Sequence, residues 1–237
     1  MKKLILALSL AAFTVMVQAG DNKKPDNDGG GGRDMKQGLM AHYFKDPTEW
    51  DGNWKQGAKP TVQAKDWTFR EYKYSRKEPL INHCFVKRGW FSIRWTGYFK
   101  IPPAVTDKHG DAVEVSFDFL ADDGARLFID GKQLIDDWRP CAEDEPGSHR
   151  KGTVKLDSGY HRIVVEYFQG ESLQKNDNDP AKLYWDIPSL KIKHQIIPAS
   201  HFFHTDEDEA DITPSQGLSA GDQQRLAEGD IPKVQND

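Results

Sequence analysis

Asp122 and Asp123 stand side by side ahead of Gly124, at the end of a run of alternating apolar residues from Val113 to Leu120. Two adjacent carboxylates have two uses. They can supply oxygen ligands to a hard divalent cation, and calcium suits them because it takes about six to eight oxygens in flexible geometry. They can also sit in a plain turn, where Asp side chains bond backbone amides and Gly accepts the backbone angles of a tight reversal. Successive residues of a regular strand point to opposite faces. Both side chains can therefore reach one ion only where the chain leaves that regularity, as it does at the end of this run. Spacing alone leaves both uses open.

Other side chains offer less chemistry. Trp138 follows Asp136-Asp137 and could stack on a sugar ring or pack in a core. Trp50 and Trp54 lie in polar surroundings and are candidates for exposed stacking, whereas Trp95 and Trp185 alternate with apolar residues and read as core. His201 and His204 precede an acidic run and have the side-chain types of a transition-metal site, but two residues at that spacing serve equally as surface groups. No Gly-x-Ser-x-Gly, His-Glu-x-x-His or phosphate-cradling glycine loop is present. The many carboxylates do not single out the positioned pair that glycoside hydrolysis requires. A small secreted hydrolase stays as the remote alternative to a protein without catalysis.

The elements that must position these residues read as β-structure. Phe91, Ile93, Trp95, Phe99 and Ile101 share one face of a strand, with Ser92, Arg94, Thr96 and Lys100 on the other. Val113, Val115, Phe117 and Phe119 repeat the period, as do Leu127 with Ile129, Ile163 with Val165 and Tyr167, and Leu183 with Trp185 and Ile187. Met40 to Phe44 opens the set. Asp123-Gly124, Asp130-Gly131 and Asp157-Ser158-Gly159 supply the turns. Short strands with turns at this spacing predict an all-β fold, an antiparallel β-sandwich or barrel. Trp50 to Leu80 reads as long loops with at most one short strand.

The ends carry other signals. Lys2-Lys3, the apolar run Leu4 to Val17 and the small residues through Ala19 form a signal peptide over 1–19, too short for a bilayer span of about 20 apolar residues. Residues 20–35 are a Gly-rich linker, 36–204 the β domain, and 205–237 an acidic tail expected to be disordered. The expectation is an exported protein that is secreted, periplasmic or at the cell surface. A net charge of −5 without a basic cluster excludes a nucleic-acid binder. The two cysteines, Cys84 and Cys141, permit a disulfide in an exported chain. It would add about 4 kcal/mol in the chain-entropy model, and two separate thiols are the alternative.

Five stretches in order carry a resemblance. They are Gly38 to Phe44, Phe91 to Tyr98, Ala121 to Gly131 with its Asp-Asp-Gly and Asp-Gly pairs, Leu134 to Trp138, and Gly159 to Phe168. Together they resemble the PA-fourteen domain named after anthrax protective antigen. The resemblance implies a β-barrel-like sandwich that does no chemistry itself and is found in toxins, bacterial glycosidases and proteases, and fungal adhesins. In the adhesins two aspartates joined by a cis peptide hold a calcium ion that bridges sugar hydroxyls, and Asp122 and Asp123 match that pair. Asn176, Asp177, Asn178 and Asp179 lie where the family places further ligands. The implied function is a non-catalytic, calcium-assisted carbohydrate- or glycan-binding module with Asp122 and Asp123 at the ligand, and Trp138, from its place after two aspartates, is the further ligand-binding candidate. A structural or protein-interaction module of the cell envelope is the alternative.

Overall fold

A computed structural model describes residues 34–46, 68–85, 89–103, 112–141, 147–170 and 179–210. The expected signal peptide, most of the linker, Trp50, Trp54 and the chain beyond Ala210 lie outside the described residues. Among these residues thirteen strands and one short α-helix follow in order: β1 (Lys36–Gln37), β2 (Leu39–Lys45), β3 (Glu71–Glu78), β4 (Asn82–Cys84), β5 (Phe91–Ile101), β6 (Val113–Ala121), β7 (Gly124–Ile129), β8 (Lys132–Asp137), β9 (His149–Leu156), β10 (Gly159–Gln169), β11 (Pro180–Ile187), β12 (Ile192–Ile196), β13 (Phe202–His204) and α1 (Asp206–Ala210). The chain is all-β and antiparallel, as its period-two patterning predicts.

The strands form two sheets. In the eight-stranded sheet the order is β1-β13-β5-β10-β7-β8, with β2 also on β5 and β3 on β2. The five-stranded sheet runs β12-β11-β6-β9, with β4 on β11. β5 is the axis of the larger sheet. One edge pairs with β10 along its whole length, and the other pairs first with β2 and then with β13. Gly97 marks the handover, since a Cβ there would lie 2.3 Å from the Phe203 carbonyl oxygen. The apolar faces of the two sheets meet in one core. Trp95 and Trp185 are both fully buried in it, and Phe99 of β5 meets Phe117 of β6 at right angles, with centroids 5.5 Å apart. Full burial of such side chains is worth roughly 1.5–3 kcal/mol each.

β3 is the one short strand that the sequence allowed between Trp50 and Leu80, and residues 50–67 of that stretch lie outside the described residues. Its sequence is polar because it is an edge strand, paired on one side only. Tyr74 stacks on Tyr43 of β2, and Glu78 points inward, 1 % exposed. Glu78 accepts from the Tyr43 hydroxyl (2.5 Å), Arg76 Nε (2.7 Å) and Trp95 Nε1 (2.5 Å), and lies 2.9 Å from His83 Nε2. Burial alone would raise its pKa, but the His83 ring, the Arg76 guanidinium and the Trp95 N–H outweigh burial and hold it down at about 2.

The folded unit does not end at His204. Thr205 donates its N–H and hydroxyl to Asp208 Oδ2, at 2.8 and 3.0 Å, in a capping arrangement that starts α1. Asp208 also pairs with Arg162 of β10, and Lys36 reaches Asp206 (2.5 Å) and Glu209 (3.1 Å). Residues 205–210, expected to be disordered, are therefore ordered, and the rest of the expected tail lies outside the described residues. Composition read this segment as pure solvated charge because its counter-charges lie far away in sequence. His201 and His204 are backbone clamps, with Nδ1 atoms donating to the carbonyls of Lys100 and Gly38, both at 2.8 Å.

At the turn between β9 and β10, next to Arg162, buried His161 bridges Asp130 Oδ2 (2.7 Å) and the Asp157 carbonyl (2.8 Å). Burial lowers its pKa, but Asp130 and Asp157 outweigh burial and raise it above 6.5. A raised folded-state pKa adds stability below the unfolded value, and that stability is lost as pH rises through the folded one. Urea unfolding between pH 6 and 9 should show wild type losing stability that His161→Gln never had, so the two curves converge as pH rises. Parallel curves would exclude this role.

Candidate metal and ligand site at the Asp122–Asp123 crossover

The carboxylate pair lies where the chain leaves the five-stranded sheet at the end of β6 and enters the eight-stranded sheet at β7. Each residue's amide is tied to a different sheet. The Asp122 N–H donates to the Pro180 carbonyl of β11 (3.0 Å), and the Asp123 N–H donates to the Phe168 carbonyl of β10 (3.1 Å). The peptide bond between them is cis. Gly124 follows because a Cβ there would fall 2.0 Å from the Phe168 ring.

Asp123 is 2 % exposed, and backbone groups from two remote segments hold its carboxylate. Oδ1 accepts the Cys141 N–H at 2.8 Å and Oδ2 the Gly170 N–H at 2.7 Å. Burial and then the neighbouring Asp122 push its pKa up to about 8. The two amides pull against that, and Asp179 adds to the rise. Asp179 is itself buried, at a φ of +34° just before β11, and its carbonyl accepts the Phe85 N–H at 3.1 Å.

Arg150 of β9 closes the crossover from below. Its guanidinium donates to the carbonyls of Ala121, Ser148 (2.8 Å) and Asp123 (2.7 Å) and, through Nε, to Asp137 (3.0 Å). The Tyr167 hydroxyl of β10 donates to the Asp122 carbonyl. Arg150 and Tyr167 had not been singled out. Arg150 belongs to no motif, whereas Tyr167 was visible only as one more inward strand residue.

The structure thus brings together Asp122, Asp123 and Asp179 of the expected ligands, while Asn176, Asp177 and Asn178 lie outside the described residues. Among the described residues, no group of three or more His, Cys, Asp and Glu side chains is arranged to hold a metal ion. The donor chemistry nevertheless fits a hard cation. Each Asp123 oxygen has spent one lone pair on an amide and keeps another, all the donors are oxygens, and a divalent charge would offset the burial and the repulsion that raise the Asp123 carboxyl. Trp138 is partly exposed and meets the Phe168 ring at 4.8 Å, so it lies beside the crossover. Cys84 ends β4 opposite Pro180, and the Cys141 amide holds Asp123, but no disulfide joins them. The crosslink that an exported chain permits is not formed. Each thiol belongs to a segment already anchored by backbone bonds at this end of the sandwich.

The comparisons agree with this architecture. The family model described as PA14 domain matches residues 86–196. Anti-sigma-I factor RsgI3 of Acetivibrio thermocellus is 27 % identical over 147 residues, covering 58 % of this chain and 20 % of that protein. An anti-sigma factor domain-containing protein from Clostridium clariflavum superposes with a TM-score of 0.51 at 22 % identity, over 71 % of this chain and 47 % of that one. The PA14 domain of the MpAFP antifreeze protein does so with a TM-score of 0.51 at 13 % identity, over 79 % and 97 %. The chain thus spans a fifth of the curated relative and about half of the solved anti-sigma structure. Residues 86–196 thus match the PA14 domain model, and the two-sheet fold is shared with a solved PA14 domain.

Proposed function

We propose that the protein is an exported, non-catalytic glycan-binding module whose ligand site is the Asp122–Asp123 crossover, assisted by calcium. The observation that supports this reading most is the buried Asp123 carboxylate, held by two amides beside Asp122 and Asp179. Asp122, Asp123 and Asp179, with Asn176, Asp177 and Asn178, are the residues that would hold the ion. When bound, calcium supplies a hard centre whose open positions accept vicinal sugar hydroxyls. The chain's own part is to hold the carboxylates in place and oriented. The Gly170 and Cys141 amides fix Asp123, while Arg150 and Tyr167 fix the backbone on either side.

Calorimetric titration with calcium tests the site. Asp123→Asn is expected to bind calcium at least about 10-fold more weakly, a loss of roughly 1.4 kcal/mol. The fold should persist at a cost of about 1–3 kcal/mol, because one amide loses its acceptor. A glycan array with and without chelator tests the ligand. If wild type takes up no calcium, or if Asp123→Asn takes it up equally, the assignment fails. The likeness to part of an anti-sigma factor favours a second reading, a protein-interaction module. Chelator-independent capture of a protein, with no glycan bound, would select it.

A further inference from the structure

Next to the carboxylates, the outer face of the eight-stranded sheet carries two aromatic rings held nearly parallel. The Phe69 and Trp138 rings are inclined by 15°, with centroids 5.7 Å apart. The Arg94 guanidinium lies 4.5 Å from the centre of the Phe69 ring, and that of Arg126 lies 4.3 Å from the centre of Trp138. These two arginines project from β5 and β7 and meet at Glu166 on β10 between them, at 2.8 and 3.5 Å. Both guanidiniums therefore approach the rings from the sheet. Phe69 and Trp138 remain partly exposed.

The rings are fixed in place. The Phe69 N–H donates to Ser92 Oγ (2.8 Å), and that hydroxyl donates to buried Asp46 (3.2 Å), which also accepts the Arg70 N–H (3.4 Å). Phe69 takes a φ of +56°, uncommon for a bulky residue. Trp138 donates from Nε1 to Thr68 Oγ1 (3.4 Å) and meets the Phe168 ring at 74°. The pair is also coupled to the crossover. Phe168 carries the carbonyl that accepts the Asp123 N–H, and Asp137, next to Trp138, binds the arginine that holds the Asp123 carbonyl.

Flat rings, each backed on one face by a guanidinium and still partly exposed, match a sugar ring, which offers a C–H face bordered by hydroxyls. We propose that Phe69 and Trp138 form a stacking subsite for a neutral pyranose, adjoining the carboxylate pair. The inference rests on the glycan reading above and extends it from one sugar to at least two. Because the rings are already fixed, stacking freezes little additional motion.

Nuclear magnetic resonance of the Trp138 indole N–H, assigned with Trp138→Phe, tests the proposal. The probes are lactose, cellotetraose and xylotetraose, each added with calcium and again with chelator. At least one is expected to shift the Trp138 signal, and Phe69→Ala should weaken that sugar about 10-fold while calcium affinity stays unchanged. Phe69→Leu, which keeps the bulk but not the flat face, should lose affinity similarly and controls for folding. A sugar that binds with calcium, leaves the Trp138 signal still and binds Phe69→Ala equally overturns the subsite but not the carboxylate site. A Trp138 shift that survives chelator supports the subsite and shows that stacking there does not need an ion at the carboxylates. If no probe binds wild type, the subsite is overturned for neutral pyranoses.

Discussion

Glu78→Gln is expected to destabilise the domain by roughly 3–5 kcal/mol, the cost of breaking a buried charge network from one side. Glu78 gathers side chains from four strands. Tyr43 on β2, Arg76 on β3 and Trp95 on β5 belong to the eight-stranded sheet, and His83 on β4 belongs to the other. Glutamine keeps one acceptor oxygen and turns an NH2 group toward a donor. The pH dependence provides the sharper check. The folded pKa of about 2 lies below the ordinary 4.5, so the carboxylate's stabilisation is fully present above pH 4.5 and lost as pH falls toward 2. The stability gap between wild type and Glu78→Gln, read from urea midpoints, should therefore narrow over that window. A gap that is absent at pH 7, or that widens in acid, would refute this role.

Arg150→Met is expected to cost a similar amount, about 3–5 kcal/mol, because it leaves buried carbonyls and one face of Asp137 without a donor. Lysine cannot span the same acceptors, so Arg150→Lys should recover only part of the loss. Because Arg150 holds the carbonyl of Asp123, its removal should also be felt at the carboxylate. Amide exchange at Cys141 and Gly170 should accelerate beyond the global change in stability, and calcium affinity should fall although no proposed ligand has been altered. Unfolding of Arg150→Met at the wild-type midpoint would show that the guanidinium does not clamp the crossover.

Strands whose inward positions are all apolar were legible one by one. β5, β6, β10 and β11 announce themselves by period two, and Asp123-Gly124 announces a break. β9 was silent because its inward row is Arg150, Gly152, Val154 and Leu156, only half of it apolar. β3 was silent because an edge strand can be polar, and its buried carboxylate looked like surface charge. The acidic start of α1 looked like tail for the same reason, since nothing near it in sequence names Arg162 as its counter-ion. At the site, Asp122 and Asp123 were readable from adjacency, and Trp138 from its place after two aspartates. Phe69 sat in a stretch without periodicity.

Local sequence decides what depends on neighbours: where a strand runs, which face is apolar, where a turn interrupts it. That was enough for an all-β sandwich with a carboxylate pair at a strand end. Whether that pair is an ordinary turn or a buried site depends on groups far away along the chain. The Gly170 and Cys141 amides, the Arg150 guanidinium and the Asp179 carboxylate meet Asp123 only after both sheets have closed. Charge and hydrogen-bond partners act through space, so the tertiary structure alone decided them.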